Sequence, residues 1–408
     1  MRGLMLLRGL LLCLTSHAHN FEFWSISNIL VSPFALHSAC LSVDMSPSKT
    51  EQGSEDFQNL SSSFLEWFQS RSDSRLSAKI TVADLRSRDA GRGVGMLSSA
   101  FYTCSSHRLT ATPVANSNIF TDEELFAIPR SMVLQKTNSD LYLKLPDAFA
   151  DLGSWDSLII VIVYEYLRHD SSPWFPYLQL LPTTFDTLMF WTPAELSELQ
   201  GSAVVNKIGK EAAEENWNST MLPTMFNNEA LFPFSTRSPN GRARELLKLA
   251  HIAGSMIMAY AFDIDVDDFD DPGEDTAEGA DSDLTEDDEE SPAKGMVPFA
   301  DMLNADAHRN NARLFHEDDF LIMKATRNIQ AGDEIFNDYG PLPRSDLLRM
   351  YGYITDNYSA YDVVEVSADL IENVAVSAGT DQSYLAQQVQ LSGKGGLKFA
   401  DKQTARRA

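Results

Sequence analysis

Cysteine is scarce in this chain of 408 residues, which has only Cys13, Cys40 and Cys104. Because no cysteine follows position 104, the main body of the chain excludes both a disulfide framework and a cysteine-rich zinc site. This distribution favours a reducing compartment. The chain also lacks an apolar run of about 20 residues, the length that a membrane-spanning helix needs, so we expect no membrane partner. The length predicts two or three domains with a large core.

Basic residues are few as well: 32 Lys and Arg stand against 58 Asp and Glu, giving a formal net charge of −26. More than half of this excess comes from 16 acidic residues between Asp263 and Glu290, a segment without Lys or Arg. Such a charge repels phosphates and argues against direct nucleic-acid binding. It favours a lysine-rich protein partner through long-range attraction. The acidic segment is too charged to pack and should form a solvated loop.

Residues 1–44 begin like a secretory signal, with Arg2 followed by an apolar stretch. Arg8 interrupts that stretch, however, and no clean small-x-small cleavage site follows it. We therefore interpret residues 1–44 as an extension outside the fold, and Met45 as a candidate start of a polar leader. A secreted protein is the alternative interpretation, and it rests on this segment alone.

Apolar spacing divides the rest of the chain into helices and strands. Helical spacing occurs in Ser54–Ser70, Leu246–Phe262 and Asp346–Tyr351, and strand-like runs occur in Lys79–Leu85, Leu125–Pro129 and Phe320–Ala325. Thr192 can cap a helix that begins at Pro193. The β-branched run Ser157–Leu167 is compatible with either a helix or a strand. Met96–Ser117 is rich in Ser and Thr without a period; it is either a surface loop or an artefact of the gene model, and we favour the artefact.

Three separated segments carry residues suited to chemistry. The turn Arg92-Gly93-Val94-Gly95 follows a strand, and its glycines let the backbone approach a ligand and expose N–H donors. Asn304 ends an apolar run, where a buried amide must satisfy its donors and its acceptor. Tyr339 precedes Gly340, and a phenol there can accept a hydrogen bond from an amine. Taken singly, these residues have ordinary roles as a loop turn, a turn cap and a core aromatic residue.

Together, the three segments resemble the SET-domain protein lysine methyltransferases, in particular the branch that contains the Rubisco large-subunit and ribosomal-protein lysine methyltransferases. The resemblance covers roughly residues 79–353 once Met96–Ser117 is set aside. It implies an α+β fold, in which the small sheets of a β-rich SET fold are interrupted by a mainly helical inserted domain and followed by a partial helical C-terminal substrate-binding domain. It also favours a helix for Ser157–Leu167.

The resemblance further implies a division of the chain into five parts. In chain order these are an N-terminal extension and helix at 1–78, the first part of the SET domain at 79–160 with an atypical insertion at 96–117, a helical inserted subdomain at 161–240, the second part of the SET domain at 241–353 with a disordered acidic loop at 263–295, and a truncated helical substrate-binding domain with a tail at 354–408.

The same resemblance implies S-adenosylmethionine as the cofactor and gives roles to the matching positions. Cofactor contacts are expected from Arg92, Gly93, Val94, Tyr260, Asn304, Ala305 and Tyr339, and contacts to the substrate lysine from Trp174, Ala261, Asp301 and Tyr351. Tyr339 is also the expected catalytic residue, which orients the amine. Most SET proteins have His where this chain has Ala305, so the cofactor site is expected to be weakened. No metal is expected, since His308 and His316 lack partners at ligand spacing.

The implied reaction is direct methyl transfer from a sulfonium to a lysine amine in a non-histone protein, with a large-subunit ribosomal protein as the expected substrate. Alignment of the reacting atoms is then the main catalytic task. An apolar channel helps by lowering the pKa of the lysine, which is about 10.4 in water. We expect a monomer located in the nucleus, the cytoplasm or both. The alternative is a catalytically impaired SET-fold binding module for a Lys-rich protein, favoured by Ala305, the insertion and the short C-terminal part.

Overall fold

The computed structural model describes residues 50–84, 94–98, 118–150, 152–236, 238–264 and 292–366, with four single positions between 370 and 377. Several sequence predictions lie outside this part: the leader 1–44, Arg92, Gly93, residues 99–117 of the insertion and residues 265–291 of the acidic segment. Contacts divide the chain into two units, one formed by Gly53–Asp362 and one by the terminal segments Met1–Gln52 and Val363–Ala408. The unit Gly53–Asp362 contains the core and the candidate site.

Helices fill most of the described chain between the strands. The α-helices are α1 (Thr50–Ser70), α2 (Leu141–Lys144), α3 (Ser154–Leu167), α4 (Phe175–Leu178), α5 (Pro193–Leu196), α6 (Lys210–Ser219), α7 (Met221–Asn227), α8 (Pro239–Tyr260) and α9 (Arg344–Tyr351). Short 3-10 turns connect them, among which Leu188–Phe190, Ala300–Met302 and Asp356–Tyr361 lie near the candidate site.

The strands form small antiparallel sheets. They are β1 (Arg75–Leu76), β2 (Ile80–Asp84), β3 (Val94–Ser98), β4 (Glu124–Pro129), β5 (Ala261–Asp263), β6 (Lys294–Met296), β7 (Ala312–His316), β8 (Phe320–Ala325) and β9 (Glu334–Ile335). One sheet has the order β1-β4-β8-β7, a second has the order β2-β3-β9, and β5 pairs with β6. Each sheet joins segments that are far apart in the chain.

The α+β class predicted from the sequence is confirmed. The β-branched run that periodicity left open is helix α3, in which ten consecutive side chains from Asp156 to Glu165 are buried. A helix that is apolar on all sides belongs inside the core, so no amphipathic period was to be expected. Thr192 caps α5 as predicted, because it accepts from the backbone N–H of Glu195 while the Glu195 side chain accepts from Thr192.

Backbone pairing corrects four boundaries that were predicted from the sequence. The insertion does not begin at Met96, because Met96 lies in β3, opposite Val82 and Ile335. The helix predicted up to Phe262 ends at Tyr260, since Ala261 is extended and pairs with Met296. The same pairing places both edges of the predicted acidic loop 263–295 in strands. At these points, hydrogen bonds to strands that are distant in sequence override the local preference for helix or loop. A short window of sequence does not contain those partner strands.

Aromatic rings organise the core beneath the candidate site. Phe299 contacts Phe68 and Phe126 with ring centroids 4.9 Å apart in each pair, and Phe64 at 5.5 Å. All four rings are fully buried. Helix α1 therefore covers the start of the 3-10 turn Ala300–Met302, and Phe299 connects it to strand β4. Within the part of the chain that the structure describes, no helix is both long enough and apolar enough to span a membrane.

Candidate active site

Tyr339 and Tyr351 form the centre of the candidate site. Their rings are stacked, with centroids 4.5 Å apart and planes 7° apart, and Tyr353 meets Tyr351 edge-on at 6.3 Å. Burial raises the pKa of the Tyr339 phenol well above its usual range, and the phenols of Tyr351 and Tyr353 add to the shift. Tyr339 is therefore a neutral hydrogen-bonding group at physiological pH.

The hydroxyl of Tyr339 is held by the segment that contains Asn304. It donates to the carbonyl oxygen of Leu303 at 3.3 Å. Next to this contact, the Asn304 carbonyl accepts from the backbone N–H of Asn337 at 2.8 Å, and Ala305 forms a parallel bridge with Asn337. The segments before Tyr339 and after Leu303 are thus joined through their backbones. This junction brings the predicted residues Asn304, Ala305 and Tyr339 together.

The side chain of Asn304 is half-buried and anchored on strand β9. Its amide donates to Glu334 Oε1 at 2.8 Å. Hydrogen bonds to a carboxylate are stronger than neutral ones, so this contact fixes the orientation of the amide. Asn304 is therefore held at the site through both its backbone and its side chain.

Tyr260 and Ala261 lie where helix α8 passes into strand β5. The Tyr260 phenol is close enough to the phenols of Tyr177, Tyr339 and Tyr351 to contribute to the raised pKa of each, although burial is the largest cause in all three. The end of α8 therefore faces the tyrosine pair. This places the predicted cofactor residue Tyr260 beside the predicted catalytic residue.

Asp301 lies in the 3-10 turn Ala300–Met302, directly before Leu303. Its carboxyl group is buried, and Oδ2 accepts a short hydrogen bond from the hydroxyl of Tyr177. Burial raises the pKa of Asp301 to about 8, while the bond from Tyr177 opposes that rise. The carboxyl group is therefore mostly protonated at neutral pH and adds little negative charge to the site.

Trp174 is a core residue by its contacts. Its side chain is buried, and its indole N–H donates to the carbonyl oxygen of Met132 at 2.8 Å. It directly precedes helix α4, which carries Tyr177. Its role as a wall of the lysine channel stays a prediction, since these contacts describe packing alone.

The family model for the "SET domain" matches residues 114–340, which are more than half of the chain. The chain belongs to the SET-domain family. The matched residues include Tyr260, Asp301, Asn304 and Tyr339, whereas the glycine turn and Tyr351 lie outside them. Val94, from that turn, is the first residue of strand β3 and pairs with Asp84. The cofactor role given to Val94 stays a prediction, as do those of Arg92 and Gly93.

Curated relatives of this SET-domain chain are named as lysine methyltransferases. Ribosomal lysine N-methyltransferase 4 of Saccharomyces cerevisiae is 34% identical over 78% of this chain and 60% of its own length. N-lysine methyltransferase SETD6 of Mus musculus is 30% identical over 66% of this chain and 54% of its own length. The chain thus spans a little over half the length of these two relatives.

Solved structures support the SET fold. A structure of the SET domain of LSMT bound to lysine and AdoHcy superposes with a TM-score of 0.52 at 18% identity, covering 74% of this chain and 58% of that one. A second LSMT structure, bound to MeLysine and AdoHcy, also gives 0.52 at 18% identity, covering 79% of this chain and 65% of that one. The predicted fold of small sheets with helical additions is therefore confirmed.

The candidate site has residues that the sequence alone did not single out. Tyr353 extends the stacked pair, and Tyr358 is fully buried in the cluster that includes Tyr339 and Tyr351. Their closeness to Tyr351 along the chain is a signal that could have found them. Tyr177 offered no such signal, because it reaches Asp301 across 124 residues of sequence.

Proposed function

We propose that this chain transfers methyl groups from S-adenosylmethionine to the side-chain amine of a lysine in another protein. The observation that carries the proposal is the bond from the Tyr339 hydroxyl to Leu303, beside Asn304 and under the ring of Tyr351, within a SET domain. The names of the relatives support the same class of reaction.

The residues of the site fit the proposed cofactor chemically. When bound, S-adenosylmethionine supplies an electron-poor methyl group on a positively charged sulfur. The faces of Tyr260 and Tyr339 offer electron-rich surface to a cation. The Asn304 segment offers backbone polar groups and a fixed amide. Ala305 lacks the imidazole of most SET proteins, but its backbone still forms the bridge with Asn337.

Tyr339 would orient the substrate amine. Because its hydroxyl proton is directed to Leu303, its oxygen lone pairs are left to accept a hydrogen bond from a lysine N–H. A lysine held this way would direct its own lone pair away from Tyr339, towards the methyl group that a bound cofactor would supply. Positioning of this kind can supply much of the acceleration of a direct displacement.

The aromatic surroundings would also favour the reactive form of lysine. Burial among Tyr339, Tyr351 and Tyr353 disfavours the charged ammonium form, which lowers the pKa of the amine. The pKa of Tyr353 is raised to about 12 by burial and by the nearby Asp306, so this phenol stays neutral as well. Tyr353 is 37% exposed, so its end of the tyrosine cluster borders water, which can take the proton.

We further propose a basic, non-histone protein as the substrate, with a large-subunit ribosomal protein as the first candidate. The net charge of −26 supports attraction to a lysine-rich surface. The name of the yeast relative supports the ribosomal choice. Action as a monomer, in the nucleus or the cytoplasm, belongs to the same proposal.

The test is incubation of the purified chain and labelled S-adenosylmethionine with large-subunit ribosomal proteins, followed by mass spectrometry to locate the methylated lysine. We expect label on a lysine with the wild-type chain, and a loss of at least about a hundredfold with Tyr339→Phe. Tyr142→Phe is the matched control, since it removes a phenol from helix α2 that packs on Phe149 instead of lining the site.

A second candidate function is a SET-fold module that binds a Lys-rich protein without catalysis. Ala305 favours it, because the side chain found in most SET proteins is missing there. Calorimetric titration with S-adenosylmethionine separates the two functions. Measurable binding supports the enzyme, whereas no binding of the cofactor together with retained binding of ribosomal proteins supports the module.

A further inference from the structure

The turn that holds the Tyr339 hydroxyl is unusually constrained at its start. Phe299 has φ 81° and ψ −44°, a left-handed conformation that is rare for a bulky side chain. Such a backbone costs on the order of 1–3 kcal/mol and persists only where the surroundings enforce it. The rings of Phe64, Phe68 and Phe126 surround Phe299 and enforce it here. Ring packing therefore helps to fix the beginning of the turn, together with the bond from the Met302 N–H to the Phe299 carbonyl oxygen.

The next part of the turn is held by its own backbone hydrogen bonds and by a side-chain contact to helix α4. Asp301 Oδ2 accepts from the Tyr177 hydroxyl, while Oδ1 has no hydrogen-bond partner among the described residues. The backbone N–H groups of Phe299 and Asp301 also act on this carboxyl group, but Tyr177 is the side chain that ties it to helix α4, so the Tyr177 hydroxyl helps to set its orientation. Asp301 lies two residues before Leu303, whose carbonyl accepts the Tyr339 hydroxyl. A shift at Asp301 is thereby passed along a very short piece of chain to Tyr339.

Tyr177 is itself held rigidly. Its ring lies parallel to that of Trp67, with planes 12° apart and centroids 6.5 Å apart, and it packs on Phe64 at 6.3 Å. The indole N–H of Trp67 donates to the carbonyl oxygen of Pro173, just before helix α4. The Tyr177 hydroxyl thus reaches Asp301 from a fixed base made of helices α1 and α4.

We propose that Tyr177 and Asp301 are a positioning pair for Tyr339: the hydroxyl of Tyr177 fixes the turn Ala300–Met302 so that the Leu303 carbonyl holds the Tyr339 phenol in its working orientation. The pair links helix α4, within the predicted inserted subdomain, to the residue proposed to orient the substrate amine. The expected effect of the pair on kcat rests on the proposed function. Its effect on the orientation of the Tyr339 phenol does not depend on any activity.

The kinetic test is a double-mutant cycle on the full chain. Tyr177→Phe keeps the ring contacts with Trp67 and Phe64 and removes the hydroxyl alone. We expect kcat to fall about ten- to a hundredfold with little change in KM for the protein substrate, because orientation is lost and binding is not. In the Tyr339→Phe background, Tyr177→Phe should have no further effect on kcat. Equal, additive losses in both backgrounds would overturn the proposal.

The matched control is Tyr164→Phe in helix α3. Tyr164 is also a buried tyrosine with a bonded hydroxyl, which accepts from Lys144 at 2.6 Å, and it is not a member of the site. We expect Tyr164→Phe to leave kcat unchanged even if the free energy of unfolding falls. A loss of kcat in this control equal to that in Tyr177→Phe would show that kcat follows stability alone.

A measurement without turnover separates this inference from the proposed function. In protein labelled with ¹³C-tyrosine, the Tyr339 ring signal is assigned by its disappearance in Tyr339→Phe. We expect Tyr177→Phe to move or broaden that signal and Tyr164→Phe to leave it in place. If the wild-type chain shows no methyl transfer, the proposed function fails. A Tyr339 signal that moves in Tyr177→Phe would still support the positioning pair. An unmoved signal would overturn the pair.

Discussion

The ring of Tyr351 lies flat against that of Tyr339, and Tyr351 is the last residue of helix α9, which Gly352 caps. Gly352 has φ 78°, and a Cβ atom there would lie 2.9 Å from the carbonyl carbon of Asp186 and 3.1 Å from the nitrogen of Thr187. The end of helix α9, which carries Tyr351, therefore packs directly on the backbone just before the 3-10 turn Leu188–Phe190. The helical segment between the two parts of the SET domain thus supports a wall of the site.

The stacking predicts a clear order among variants of Tyr351. Tyr351→Phe keeps the aromatic face against Tyr339, so most turnover should remain. Tyr351→Ala removes the face and lets water reach the amine, so we expect kcat/KM to fall by about a hundredfold. Steady-state methyl transfer checks both variants. Equal losses for the two would mean that the hydroxyl of Tyr351, rather than its ring, is what matters.

Gly352→Ala should destabilise the protein and lower turnover together. An alanine there is strained by its positive φ and also meets the backbone of Asp186, which cannot move aside as a side chain could. Gly201→Ala is the matched control, since Gly201 has φ 83° with no atom within 4 Å of the added Cβ. Left-handed backbone costs an alanine about 1–2 kcal/mol, so Gly201→Ala should lose about that amount.

Urea unfolding of the two glycine variants gives the measurement. We expect Gly352→Ala to lose more free energy of unfolding than Gly201→Ala, and to lose methyl transfer where Gly201→Ala keeps it. If the two variants are equally stable, the close approach of Gly352 to Asp186 has no energetic weight.

Asn304 should contribute to stability as well as to the site. Asn304→Ala removes the hydrogen bond to the Glu334 side chain, a contact worth about 1.5–3 kcal/mol when one partner is charged. Asn304→Asp should be worse, because it places a second carboxylate against Glu334. Unfolding in urea checks this order, and adding Glu334→Gln to Asn304→Asp should restore part of the loss. A variant Asn304→Asp as stable as the wild-type chain would contradict the contact.

The sequence predicted some site residues better than others, for a physical reason. Asn304 and Tyr339 follow recognisable local patterns, and the structure brings them together through Leu303 and Asn337. The contact between Tyr177 and Asp301 joins two segments whose local sequence patterns do not predict that they meet. The folded structure is needed to identify this contact, since a phenol in an apolar stretch is ordinarily a core residue.

The boundary errors have the same origin. The local pattern of Leu246–Phe262 is helical, yet Ala261 leaves the helix because strand β6 supplies a partner from beyond the acidic segment. The local pattern around Met96 predicts a loop, yet Met96 lies in a strand because β2 and β9 pair with it on either side. Local preference identified most elements, and long-range hydrogen bonds decided where they end.

The buried carboxyl of Asp301 should make stability depend on pH. Its pKa is raised from 3.8 to about 8 by burial, so the folded chain holds a proton there that the unfolded chain releases above about pH 4. The stability from this group is fully present below pH 4 and is lost as the pH rises towards 8. Between pH 4 and pH 7 the loss is on the order of 4 kcal/mol as an upper bound.

Asp301→Asn should remove that loss, because an amide has the shape of the protonated acid and can still accept from Tyr177. Urea unfolding at pH 4 to 8 should show the free energy of unfolding of the variant rising relative to that of the wild-type chain as the pH rises.

Asp306→Asn is the control with the opposite sign. Burial favours a raised pKa for Asp306, but bonds from Arg309 and from the backbone of His308 outweigh it and lower the pKa. Asp306 therefore stabilises the fold above the unfolded pKa, and its loss should matter most at neutral pH. If Asp301→Asn and Asp306→Asn shift with pH in the same direction, the neutral state of Asp301 is wrong.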